Sequence, residues 1–70
     1  MSVVLYTTHC PKCTVLQTKL DQSNIKYTIC DNIDDMQLLN IMSAPALEVN
    51  HELLDFSQAL KWLREVNNAN

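Results

Sequence analysis

The feature that most limits what this chain can become is a change of hydrophobic period near its N-terminus. Val3-Val4-Leu5-Tyr6 is a continuous apolar, β-branched run, the pattern of a strand covered on both faces. From Pro11 onward the apolar positions move to Cys13, Leu16 and Leu20, with Lys19 and Asp21 away from them, so the segment reads as an amphipathic helix to about Ser23. Pro11 suits the first helical position, where its missing N–H has no partner to lose. Ile25, Tyr27 and Ile29 then alternate with Lys26, Thr28 and Cys30, which predicts a second strand with one face buried. A helix between two such strands makes them a parallel βαβ unit, and this commits the chain to the α/β class.

The remaining punctuation completes the order. Asp34 and Asp35 suit the positive end of a helix dipole and predict a short helix through about Leu39. Ala46 to Val49 and Glu52 to Leu54 form a hairpin pattern around Asn50-His51. A last helix runs from about Phe56 to Val66, with Phe56, Leu60 and Leu63 on one side and Asp55 and Gln58 in capping-box spacing at its start. The expected architecture is β-α-β-α-β-β-α, a four-stranded mixed sheet with three helices, in one domain over residues 1–70. The chain contains no glycine, although helix ends and tight hairpins usually require positive φ. Asparagine tolerates that region best among the other residues, and Asn24, Asn40 and Asn50 stand where two helices end and the hairpin turns. At least two of the three are expected to have positive φ.

Composition bounds the function. A chain of 70 residues buries only about 60% of the surface it exposes when unfolded, so its core is thin. With 47% apolar and 19% charged residues and a net charge of −3, it lies outside the disordered class. It also offers no positive field for nucleic acid or an anionic membrane. No apolar run approaches the ~18 residues of a bilayer span, and no positive charge precedes the short run Val3 to Tyr6 as an export signal would require. The expected address is therefore cytoplasmic. Three cysteines, an odd number, do not suit a secreted disulfide scaffold, and cytosolic thiols stay reduced unless exchange is their task.

Cys10-Pro11-Lys12-Cys13 lies where the first strand gives way to the first helix. Unpaired backbone N–H groups and the dipole favour an anion at such a helix start, so a thiolate, the reactive form, is favoured at Cys10. Lys12 adds a cation, no acidic side chain follows until Asp21, and a protonated His9 would act in the same sense. Cys13 falls one helical turn further in. The arrangement suits exchange in which Cys10 attacks a disulfide and Cys13 resolves the mixed disulfide. Covalent haem attachment is excluded by Thr14, where that motif needs histidine. Zinc would have to recruit His9, His51 or Cys30, with no second cysteine pair available. A third alternative is that both thiols simply pack as small apolar groups. Cys30 is expected to pack in that way, on the face opposite Tyr27 and Ile29, with no catalytic role. Phe56 and Trp62 are expected in the core, Phe56 near the groove. Pro45, in Ser43-Ala44-Pro45, reads as a proline at the beginning of a strand.

Taken together, Cys10-Pro11-Lys12-Cys13 after a strand, Ser43-Ala44-Pro45 before the third strand and the element order resemble a glutaredoxin of the thioredoxin superfamily, over almost the whole chain. That resemblance implies a thioredoxin-like fold and a thiol–disulfide oxidoreductase with catalytic Cys10 and Cys13. It requires no cofactor beyond the Cys10–Cys13 redox disulfide and no metal. It implies that the Ala44–Pro45 bond is cis and lies against the reactive cysteine, with Ala44 offering backbone hydrogen bonds to substrate. Substrate contacts are expected from His9, Pro11, Lys12, Ser43, Ala44, Pro45 and Asp55. Several positions depart from glutathione-dependent members. Thr7 stands at their lysine and Lys12 at their tyrosine, Ser43-Ala44-Pro45 replaces Thr-Val-Pro, and Leu53-Leu54-Asp55-Phe56-Ser57 replaces a Gly-Gly-x-Asp-like segment. This reduced pattern is similar to small redoxins that take electrons from thioredoxin reductase and pass them to ribonucleotide reductase. The implied partners are disulfide-containing proteins such as ribonucleotide reductase, with glutathione or thioredoxin reductase as electron donor, and the implied state is a monomer that binds neither nucleic acid nor membrane. The competing expectation is a redox-inactive binding module on the same fold, metal-linked through the cysteine pair, since a fold does not fix a function.

Overall fold

In the computed structural model, which describes residues 2–68 with the Asn68 side chain excepted, β1 (Val3–Tyr6) is an interior strand of a four-stranded mixed sheet. It is followed by α1 (Pro11–Gln22), β2 (Thr28–Cys30), α2 (Ile33–Leu38), β3 (Ala46–Val49), β4 (Glu52–Leu54) and α3 (Phe56–Asn68). The strand order is β2-β1-β3-β4, with β1 parallel to β2 and antiparallel to β3, and β3 and β4 closing a hairpin. This is the α/β architecture expected from the periodicities.

Register divides the apolar residues between two faces. Leu5 is paired with Leu47, and Leu47 with Leu54, so these side chains share a face. There Val3, Leu5, Leu47 and Val49 meet Leu16 and Leu20 of α1 and Ala59 and Leu63 of α3 in the main core. Phe56, Leu60 and Trp62 pack half-buried against it. The opposite face carries a smaller cluster of Tyr6, Ala46 and Met36 of α2, edged by Val4, Cys30 and Ile41. Cys30 thus packs as a small residue on the face away from the main core. Both faces of β1 are covered, which is why its run does not alternate.

The second strand differs from its expected form. It begins at Thr28, and Ile29 is 44% exposed although it shares the Leu5 face. The cause is position in the sheet: β2 is an edge strand with β1 as its one neighbour, so a side chain there is covered from one side. Ile25 and Tyr27 do pack on the main core, but from the segment before the strand. Helix α3 also continues past Val66, to Asn68. Among the described residues, no helix is long and apolar enough to cross a membrane.

Asparagine replaces glycine at all three anticipated positions: Asn24, Asn40 and Asn50 have φ of 56°, 58° and 50°. His9 and His51, which were not anticipated, have φ of 62° and 72°. Asn50 and His51 together form a two-residue hairpin loop with both residues left-handed, the geometry whose twist matches the flanking strands. The capping box of α3 closes in both directions: the Gln58 amide donates to Asp55 Oδ1 at 2.8 Å and the Asp55 amide to Gln58 Oε1 at 3.0 Å. Asn32 caps α2, accepting from the Asp34 and Asp35 amides at 2.9 and 3.3 Å. For Asn40, which ends α2 exposed, Asn40→Ala is expected to cost about 1 kcal/mol in urea denaturation through the left-handed penalty of a Cβ without a compensating amide. Asn40→Gly is expected to stay within about 0.5 kcal/mol of the parent, its gain in dihedral freedom offset by unfolded-state entropy.

Candidate active site

The site is built where β1 ends and α1 begins. After Tyr6, Thr7 extends the pairing by donating its amide to the Cys30 carbonyl at 3.0 Å. The chain then turns through the left-handed His9 and arrives at Cys10 with extended dihedrals, φ −75° and ψ 168°. Cys10 is the N-cap of α1, and its sulfur takes the place of the usual oxygen, accepting the Cys13 amide at 3.2 Å. Pro11 follows at the first helical position and is exposed. Such a cap leaves Cys10 Sγ half-exposed over the N–H groups of the first turn, where negative charge is favoured.

Cys13 lies one turn further in and is 1% exposed. Burial pushes its thiol up, but hydrogen bonds from the Cys10 thiol, the Thr7 hydroxyl and the backbone amides of Thr8 and Cys10 act the other way and prevail, bringing it down to about 7. The Cys10 thiol is the largest of the lowering influences. Of the two sulfurs, Cys10 is the accessible one and Cys13 the buried one.

From across the sheet, Ala44 meets the pair. The Cys10 thiol faces the Ala44 carbonyl at 3.9 Å, the Ala44–Pro45 peptide is cis, and Pro45 is buried while Ser43 is exposed. The antiparallel pairing of β1 with β3, which sets Tyr6 opposite Ala46, brings these distant residues together.

Other expected site residues are placed differently. The His9 ring reaches Asp31, Nε2 to Oδ2 3.2 Å, with both side chains 64% exposed, so its partner is a carboxylate on the loop after β2. Lys12 extends its Nζ over the Phe56 ring, 5.6 Å from the centroid, which ties the start of α1 to the start of α3 through a cation–π contact. Asp55 is engaged as the cap of α3. Thr7 and Thr8 were not identified from sequence as site residues. Thr7 is fully buried, and its hydroxyl accepts the His9 amide at 2.9 Å; Thr8 Oγ1 lies 4.0 Å from Cys13 Sγ. The signal available was two hydroxyl residues placed between a buried strand and a cysteine pair. Among the described residues, no three His, Cys, Asp or Glu side chains gather as a metal site. Comparison with protein-family models, with curated proteins and with solved structures finds no match to this chain.

Proposed function

We propose that this chain is a glutaredoxin-like thiol–disulfide oxidoreductase of thioredoxin-like fold, which carries electrons between thiols through Cys10 and Cys13. The observation that carries the reading is the asymmetry of the pair: a half-exposed sulfur at a helix N-cap, accepting the amide of a second cysteine that is 1% exposed. In the first step the Cys10 thiolate attacks one sulfur of a substrate disulfide. A Cys10–substrate bond forms, the substrate S–S bond breaks, and the leaving thiolate takes a proton from water. Cys13, as thiolate, then attacks Cys10 Sγ; the Cys10–Cys13 bond forms and the second substrate sulfur leaves as a thiol after protonation. Two electrons have passed to the substrate, and an external dithiol or reductase restores the pair.

The surroundings favour a protein partner over glutathione. Glutathione carries two carboxylates, and the cation nearest in sequence, Lys12, is engaged over Phe56. Asp55, one of the expected substrate contacts, caps α3 with one oxygen. Thioredoxin reductase is accordingly the expected donor and a protein disulfide, such as that of ribonucleotide reductase, the expected acceptor, in the cytoplasm. The test is a donor comparison, following NADPH oxidation with thioredoxin reductase in one arm and with glutathione and its reductase in the other. Turnover in the first arm is expected. If neither donor reduces the oxidised pair, and the chemically reduced protein leaves insulin disulfides intact, the redox reading is overturned.

A further inference from the structure

The segment that leads into Ala44 carries apolar side chains that the fold leaves uncovered. Met42 is 94% exposed and Leu38 81%, with Ile33 and Leu39 also open to water; a soluble chain rarely leaves large apolar side chains grouped in this way unless something covers them. Helix α2 turns Met36 inward to Tyr6 and Ala46, so Asp34 and Leu38, one turn apart on the opposite side, face outward together. The left-handed Asn40 then returns the chain: the Ile41 amide donates to the Met36 carbonyl at 2.9 Å, and Ile41 packs on the inner cluster. Its neighbour Met42 is left standing in solvent. Met42 comes two residues before Ala44, so at most about 7 Å of chain separates it from the residue whose carbonyl lies 3.9 Å from Cys10 Sγ. The uncovered apolar surface thus ends beside the accessible thiol.

Its charge is one-sided. From Tyr27 to Leu60 the chain has no lysine or arginine. Asp34 and Asp35 are exposed, one turn from Leu38 and Leu39, and among the described residues the one ion pair joins His9 to Asp31, so neither of these two carboxylates meets a cation. We infer that this surface docks the segment of a protein substrate that carries the disulfide, and that the segment it takes is apolar and basic: its apolar side chains cover Met42, Leu38 and Leu39 while its lysines or arginines face Asp34 and Asp35. A second copy of this chain, with a net charge of −3, would set acid against acid, which complementary interfaces avoid. The same acids oppose an anionic membrane. The inference rests on the redox reading of Cys10 and Cys13 and deepens it by naming the class of substrate. Docking adds no chemical step; it holds the substrate disulfide against Cys10, so that the attack becomes effectively unimolecular.

The test uses three probes, each a mixed disulfide with thionitrobenzoate: a peptide with leucine and lysine around its cysteine, the same peptide with glutamate for lysine, and 2-mercaptoethanol, too small to reach the surface. The Cys10 thiolate attacks the probe's other sulfur, the Cys10–probe bond forms, the probe S–S bond breaks, and thionitrobenzoate leaves as a coloured thiolate. Each rate is divided by that of the same probe with free 2-mercaptoethanol, which removes the probe's own reactivity. The lysine peptide is expected to react about tenfold faster than the glutamate peptide at low salt, and no more than about twofold faster at about 1 M salt. Met42→Ser/Leu38→Ser is expected to slow the lysine peptide about five- to tenfold and to leave the small probe within about twofold. Asp34→Asn/Asp35→Asn is expected to remove most of the charge preference; Glu52→Gln/Glu65→Gln, which removes two acids outside this surface, is expected to keep it. Peptide rates that ignore Met42→Ser/Leu38→Ser, a preference that is absent or lost equally in both charge variants, or a dimer at assay concentration that Met42→Ser/Leu38→Ser dissociates, overturns the inference while the parent's reaction with the small probe stands. If the parent fails to attack even the small probe, the redox reading falls, and the docking inference with it.

Discussion

Cys10→Ser will abolish disulfide exchange, with a loss on the order of 10³-fold or more, because no other sulfur in the site can replace it as first nucleophile. Cys13 has a thiol lowered to about 7, near the value that best serves an attacking thiol at neutral pH. At 1% exposure, however, an external disulfide cannot approach it. Accessibility therefore decides which of the two sulfurs attacks first. Cys13→Ser will behave in the opposite way: the first attack will proceed and the product will stop at a mixed disulfide on Cys10, detectable by mass spectrometry as a covalent adduct lost on reduction. Substantial exchange by the Cys10→Ser protein would reverse the assignment of the two roles.

The second large effect concerns the platform beneath the site. Leu16 is fully buried in the core where it and Leu20 join α1 to Leu5, Leu47, Ala59 and Leu63. Leu16→Ala is expected to cost about 2–5 kcal/mol, the transfer term plus a cavity that a thin core closes incompletely. A domain of 70 residues holds roughly 4–10 kcal/mol in total at ordinary stability per residue, so this one side chain accounts for a large part of it. Urea denaturation should show a lower midpoint with an unchanged slope. Leu38→Ala, at a side chain 81% exposed, is the control and should shift stability by no more than about 0.5 kcal/mol. A small effect at Leu16 would mean that α1 is held by something other than this core.

Legibility from sequence followed the range of the interaction. Cys13, Leu16 and Leu20 announced the buried stripe of α1, and all three are buried. Asp55 and Gln58 announced a capping box that forms. Ile29 was misread because alternation tells which face a residue takes, whereas exposure depends on how many strands flank it, and β2 has one neighbour. For the candidate site, spacing identified the two thiols and their unequal depth. The partner of His9 was not readable, since Asp31 lies on a different loop. Nor was that of Lys12, whose contact with Phe56 joins the starts of two helices far apart in the chain. From its residues alone Pro45 was a proline at the start of a strand; only the family resemblance placed it against Cys10, and the Ala44 carbonyl lies 3.9 Å from that thiol.

What the chain determined by itself was therefore the order and kind of its elements, the left-handed asparagines that stand in for absent glycine, and the placing of Cys10 at a helix start. Each of these follows from dihedral preference or hydrophobic period within a few residues, where the backbone leaves few choices. Tertiary structure decided which groups meet: Ala44 with Cys10, Lys12 with Phe56 and His9 with Asp31. Those meetings depend on strand order and on the conformation of two loops. Both are set by burying the apolar faces of the whole chain together, and no local window contains that sum.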